Sequence, residues 1–175
     1  SGNFTNYNET LTGGNLTSKD ISNSGILKVS EKIIARGNTF TNTGNILVTN
    51  LDTDVLGAVT NTNQIIVLDG TRIKSSSINN SGYISSTNLE LQSLVLTNSG
   101  RIEADEKLTA NNTNLNNTGY LGSNQKIELN NSNILNQGIQ GIIESNSIEL
   151  KNLFGYNNTG LVRGNDVVLT SSGNL

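Results

Sequence analysis

Apolar residues return along this chain in a short alternating rhythm that restarts about every 19 positions. From Asn98 onward, Ile102 and Ala104 alternate with Arg101 and Glu103, and a polar corner follows at Asp105-Glu106-Lys107. Leu108 and Ala110 alternate next, a polar stretch runs from Asn111 to Asn114, and Leu115 leads to Asn117, where the cycle begins again. Period-2 alternation over four or five residues predicts a strand with one buried face. Each unit therefore predicts two short strands and a brief third apolar position before the Asn, with no room for a helix. The landmark of the unit is the frame apolar-x-Asn-x-Gly-x-apolar, as in Ile21-x-Asn23-x-Gly25-x-Leu27 and Phe40-x-Asn42-x-Gly44-x-Ile46.

Aligned on Asn6, Asn23, Asn42, Asn61, Asn80, Asn98, Asn117, Asn136 and Asn158, the units give continuous apolar columns. Two residues before the Asn stand Phe4, Ile21, Phe40, Val59, Ile78, Leu96, Leu115, Ile134 and Tyr156. Two residues after the Gly position stand Leu27, Ile46, Ile65, Ile84, Ile102 and Leu121, followed by Ile143 and Val162 after small shifts. A fixed period in this range marks stacked repeats. The asparagines Asn23 to Asn158 predict an internal amide ladder, each side chain bonded to its equivalents above and below. The Gly column (Gly25, Gly44, Gly82, Gly100, Gly119, Gly138 and Gly160, with Asn8 and Asn63 in two units) predicts a corner with positive φ, which Gly and Asn tolerate best. A leucine-rich repeat has one strand per unit, and a calcium-binding nonapeptide roll needs Gly-Gly-x-Gly-x-Asp rows that are absent. The expected fold is all-β: a right-handed parallel β-helix of about nine coils, with residues 1–175 forming a single segment.

Leu96-x-Asn98-x-Gly100-x-Ile102-x-Ala104 followed by Leu108-x-Ala110, and Ile78-x-Asn80-x-Gly82-x-Ile84-x-Ser86 followed by Leu89-x-Leu91, resemble the repeats of the filamentous-haemagglutinin family of bacterial exoproteins. The resemblance covers nearly the whole chain. It implies a secreted or cell-surface location, a two-partner outer-membrane transporter acting on the full-length parent, and a role as an adhesin or as the stalk of a contact-dependent growth-inhibition toxin. The implied partner is a receptor or glycan on a host or neighbouring cell. The chain opens within a unit and closes on Ser172-Gly173-Asn174-Leu175, which reads as the start of another, as expected of an internal piece of a longer shaft.

Composition narrows the chemistry. Hydrophobic residues make up 33% of the chain, with 31 Asn among the residues that replace them, as a thin core between polar faces requires. Neither Cys nor His is present, which removes the thiol nucleophile and the commonest general base and metal ligand. The expectation is a non-enzymatic segment with no cofactor and no metal. A net charge of −3 without a Lys/Arg cluster argues against nucleic acid, and no apolar run reaches membrane-spanning length.

Sites on a solenoid are sought where the repeat breaks. At Leu51-Asp52-Thr53-Asp54, acidic residues fall where the second strand is expected. This predicts a bulged loop whose carboxylates Asp52 and Asp54 are either solvated or paired with Arg36 or Arg72, or else hold a cation or form an acid pair of the kind that cleaves glycosides. The 22-residue unit carries Gly138-Ile139-Gln140-Gly141 and the aromatics Phe154 and Tyr156, which predict a protruding loop or a bulge that buries Phe154. Tyr83, Arg101 and Tyr120 follow the Gly position in three successive units and predict an outward ladder, either a surface for a glycan or protein or a stack that steadies the sheet. A polysaccharide-cleaving enzyme and an ice-binding solenoid are the other readings. The latter is motivated by Thr39-x-Thr41 and Thr60-x-Thr62 and weakened by Asn79-x-Ser81 and Thr97-x-Ser99.

Overall fold

The computed structural model describes residues 2–111, 114–130, 133–153 and 155–171. These residues form strands without a helix, and every pairing between strands is parallel. The chain winds as a β-solenoid of about eight turns, in which each strand pairs with its equivalent one coil away. Two sheets result. One has nine short strands: Phe4–Asn6, Ile21–Asn23, Phe40–Asn42, Ala58–Asn61, Ser77–Asn80, Val95–Asn98, Asn114–Asn117, Asn133–Asn136 and Gly155–Asn158, hydrogen-bonded in chain order. The other has twelve strands, and its long members Ile26–Ala35, Asn45–Asp54, Tyr83–Gln92, Arg101–Asn111, Tyr120–Asn130 and Ile142–Leu153 carry both alternating segments of a coil across one corner. Register slips mark that corner, between Val29 and Lys32 and between Ser123 and Lys126. The brief third apolar position before each Asn is thus a full strand of its own sheet.

The core is a set of stacked columns with one-to-one register. Phe4 to Tyr156 pair in sequence along the nine-stranded sheet, and Leu27, Ile46, Ile65, Ile84, Ile102, Leu121, Ile143 and Val162 pair along the twelve-stranded one. Burial of Ile, Leu, Val and Phe side chains in such columns contributes roughly 1.5–3 kcal/mol each and drives the winding. At the corner, Val29, Val48 and Val67 give way to Ser86, Ala104, Ser123 and Ser145. Ser86 and Ser123 satisfy their hydroxyls by donating to the main-chain carbonyls of Asp69 and Glu106, one coil back.

Three expectations are corrected. First, the Gly column does not need positive φ. Among the described glycines only Gly14 and Gly138 have it. At its glycines the column brings the coils together backbone to backbone, while Asn63 carries a side chain at the equivalent place. A Cβ at Gly44 would stand 2.1 Å from the Gly25 carbonyl oxygen, and one at Gly100 would stand 2.1 Å from that of Gly82. Second, Gly138 is not in the column. Gly141 takes that place, with Leu161 N–H donating to its carbonyl at 2.9 Å and a Cβ at Gly160 falling 2.1 Å from the same oxygen. The three extra residues of the 22-residue coil are therefore Gly138-Ile139-Gln140, at the Asn corner, where Gly138 turns the chain with φ +72 and Ile139 is 95% exposed. Ile142–Leu153 and Gly155–Asn158 are strands. Tyr156 lies half-buried against the core, in register with Ile134, and Phe154 lies outside the described residues. Third, Leu51-Asp52-Thr53-Asp54 is no bulge. Leu51 and Thr53 are buried and Asp52 and Asp54 point outward within Asn45–Asp54, with Thr53 taking the inward place between Ala35 and Ile73.

Candidate functional site

The asparagines form a closed internal spine. Each Nδ2 donates to the Oδ1 of the next coil at 2.7–2.8 Å, from Asn6 to Asn23, Asn42, Asn61, Asn80, Asn98, Asn117, Asn136 and Asn158. The same nitrogen also reaches main-chain carbonyls, as Asn42 does to Gly44 at 2.8 Å and Gln64 at 3.0 Å. An amide has two N–H donors, and both are committed. With Asn23 to Asn136 buried, the spine has no free valence for a ligand, and its chemistry is scaffold.

Charge is divided between the two sheets. None of the nine short strands contains Asp, Glu, Lys or Arg. Their outward row reads Thr41, Thr60, Asn79, Thr97 and Asn116 in register. This register sets Thr41-x-Thr43, rather than Thr39-x-Thr41, beside Thr60-x-Thr62. The ion pairs belong to the twelve-stranded sheet and its corners. Asp52 bridges Arg36 at 2.6 Å, Lys32 at 3.3 Å and Arg72 at 3.3 Å, and Asp54 meets Lys74 at 3.0 Å. Glu128 takes Lys107 and Lys126, each at 2.7 Å, and Glu149 takes Lys126 at 3.1 Å together with Lys151. Burial alone would raise the Asp52 carboxyl, but the bonds and charges of Arg36 and Lys32 outweigh it and hold it low. The hydrogen bonds of Lys107 and Lys126 bring Glu128 down to about 2. A glycosidase acid needs a carboxyl raised toward neutrality, the reverse of both. Among the described residues no group of three or more carboxylates converges as a metal site would require.

Tyr83, Arg101 and Tyr120 stand in direct register on the outer face of the twelve-stranded sheet. The Arg101 guanidinium carbon lies 3.9 Å from the centre of the Tyr120 ring. Glu103 completes the unit: it accepts from Arg101 Nε at 2.6 Å and from the Tyr83 hydroxyl. Burial, then the Glu103 bond, raises the Tyr83 phenol, and burial, then the Glu144 charge, raises that of Tyr120. Tyr120 also lies across Gly122, where a Cβ would stand 2.3 Å from its Cε1. The sequence reading missed Glu103 and Gly122, although both sit two residues after a ladder member and so share its face. It also missed Glu144 and Arg163, paired at 2.5 Å beside Tyr120. The structure leaves Asp52 and Asp54 on the second segment of the coil, apart from this ladder on the first.

No protein-family model matches the sequence, and no curated protein or solved structure matches it.

Proposed function

We propose that this segment is a structural and adhesive rod element of a large secreted bacterial cell-surface exoprotein of the filamentous-haemagglutinin type. In that role it holds a contact surface away from the cell that makes it and presents that surface to a receptor or glycan on another cell. The observation that carries the reading is the unbroken coil register. The amide spine and the core columns continue through all eight turns, about 40 Å at the usual ~4.8 Å strand spacing. Such a stack is quasi-one-dimensional, so its parts act as a rod with lateral faces rather than as a closed globule. The Asn-x-Gly frame that resembles the family's repeats is the part of the sequence that builds this spine and this backbone approach. The two-partner transporter and the exported location come with the family reading, and the reading assigns no catalysis to this segment.

One observation favours a second reading, the stalk of a contact-dependent growth-inhibition toxin. The ion pairs of the twelve-stranded sheet satisfy one another, which leaves much of the rod's surface self-contained, as a spacer requires. Fluorescent beads coated with residues 1–175 separate the two. Saturable adhesion to bacterial or host cells supports the adhesive element. Adhesion no greater than that of beads coated with a sequence-scrambled control overturns it and leaves the spacer.

A further inference from the structure

A cleft of about 300 Å³ lies beside Tyr120, lined by Ser123–Asn124, Ser145–Asn146 and Gly164–Asn165 from three successive coils. Its volume meets the lower end of the range of small-ligand sites, about 300–1,000 Å³. Three features fix its chemistry. The first is an aromatic wall. Arg101 covers the Tyr120 ring from the preceding coil, Gly122 leaves room for the ring to lie down, and the ring borders the cleft over the following coils. The second is neutrality. The charged groups lining the cleft are Glu144 and Arg163, and Arg163 donates from Nε and a terminal nitrogen to the same oxygen, Glu144 Oε1. The pair cancels its charge, and Oε2 keeps its acceptor capacity. The third is unspent polarity. The amides of Asn146 and Asn165 meet only at 3.4 Å.

We propose that this cleft binds a neutral hexopyranose unit of a glycan. The apolar C–H face of the sugar packs on Tyr120, while its hydroxyls donate to Glu144 Oε2 and exchange hydrogen bonds with Asn146 and Asn165. An aromatic side chain supplies a large apolar face and a polar edge at once, and a sugar ring presents the same two surfaces in reverse. A carboxylate and amides flanking that face match hydroxyl groups rather than an anion. The proposal rests on the adhesive reading for its use and names the ligand class of that contact.

The test is an NMR titration of residues 1–175, following the Tyr120 ring signals in the parent and the main-chain amide signals of Asn146 and Asn165 in the parent and every variant, with the methyl glycosides of glucose, galactose and mannose and with N-acetylneuraminic acid as the anionic comparison. The expected result is a saturable shift of the Tyr120 signals by at least one neutral glycoside. Tyr120→Phe should keep that affinity within about threefold, and Tyr120→Leu should weaken it about tenfold. Asn146→Ala, an exposed change that leaves the core intact, should weaken it as well. The proposal is overturned by no shift from any neutral glycoside, by tighter binding of the anionic sugar, or by unchanged affinity in both Tyr120→Leu and Asn146→Ala. Bead adhesion measured in parallel keeps the two conclusions apart. Beads that adhere while the chain ignores these sugars remove the cleft alone, and sugar binding without adhesion removes the adhesive reading alone.

Discussion

Replacing Asn80 by aspartate exchanges one NH₂ group for an oxygen at the centre of the spine, and the consequence can be worked through bond by bond. Asn80 is 2% exposed. Its Nδ2 donates to Asn98 Oδ1 at 2.8 Å, Gly82 O at 3.1 Å and Arg101 O at 3.2 Å, and its Oδ1 accepts from Asn61 at 2.8 Å. In Asn80→Asp an ionised carboxylate keeps the bond from Asn61 but turns its second oxygen toward three acceptors. A buried charge left without compensation costs about 4 kcal/mol. Protonated, the new carboxyl donates one O–H to Asn98 Oδ1 and loses only the remaining N–H bond, about 1 kcal/mol. The neutral form is favoured in the fold, so the folded pKa is raised above the unfolded value of about 3.9. A raised folded pKa contributes stability that is fully present below the unfolded pKa and is lost as pH rises through the folded one. Urea titrations of parent and variant should differ by about 1 kcal/mol near pH 4 and by about 4 kcal/mol near pH 7. Because each coil touches only its neighbours, faster amide exchange should concentrate in the coils holding Asn61 and Asn98. A difference that stays constant between these two pH values would refute the argument that the spine is a chain of obligatory amide donors.

Other outcomes follow from the same geometry. Gly100→Ala places a Cβ about 2.1 Å from the Gly82 carbonyl oxygen, and since that neighbour is backbone the coils must separate; a loss of about 3 kcal/mol is expected in a thermal melt. Deleting Gly138-Ile139-Gln140 joins Asn136-Gln137 to Gly141-Ile142-Ile143 and restores the regular Asn-x-Gly-x-apolar frame, so stability should change by no more than about 0.5 kcal/mol or rise, and a large loss would show that the loop is structural. Glu128→Gln leaves Lys107 and Lys126, neighbours in register, without their shared carboxylate; about 1 kcal/mol should be lost at low salt and less at high salt. Since the Glu128 carboxyl is depressed to about 2, its contribution is present above the ordinary value of 4.5 and is lost as pH falls toward about 2, so parent and Glu128→Gln should converge in acid.

The period, the inward columns and the ladder of asparagines were legible in the chain because each is written locally: alternation sets the buried face, and equal spacing brings equivalent residues into stack. Thr53 shows where that legibility stops. A threonine in an inward row reads as polar, so Asp52 and Asp54 read as a loop, although the backbone runs through them as an ordinary strand. Gly138 and Gly141 show it again. Spacing from Asn136 points to Gly138, yet Gly138 has open space where a Cβ would stand, whereas a Cβ at Gly141 would lie 2.3 Å from the Gln137 carbonyl oxygen and 2.9 Å from that of Asn117.

What the sequence by itself determined is the coil: its length, its two alternating segments, its Asn-x-Gly corner and the identity of nearly every core side chain. What only the tertiary structure decided is how closely neighbouring coils approach and which unlike side chains they bring together. Gly44, Gly82 and Gly100 are required by a carbonyl one turn away rather than by their own φ. Tyr83, Arg101 and Tyr120 are joined through Glu103, and the cleft beside Tyr120 is assembled from three coils and from a charge pair, Glu144 and Arg163, 19 residues apart in the chain. The physical reason is that alternation along a strand reports which face is buried. The distances between stacked backbones, and between side chains that share a face, are set only when the solenoid closes its next turn.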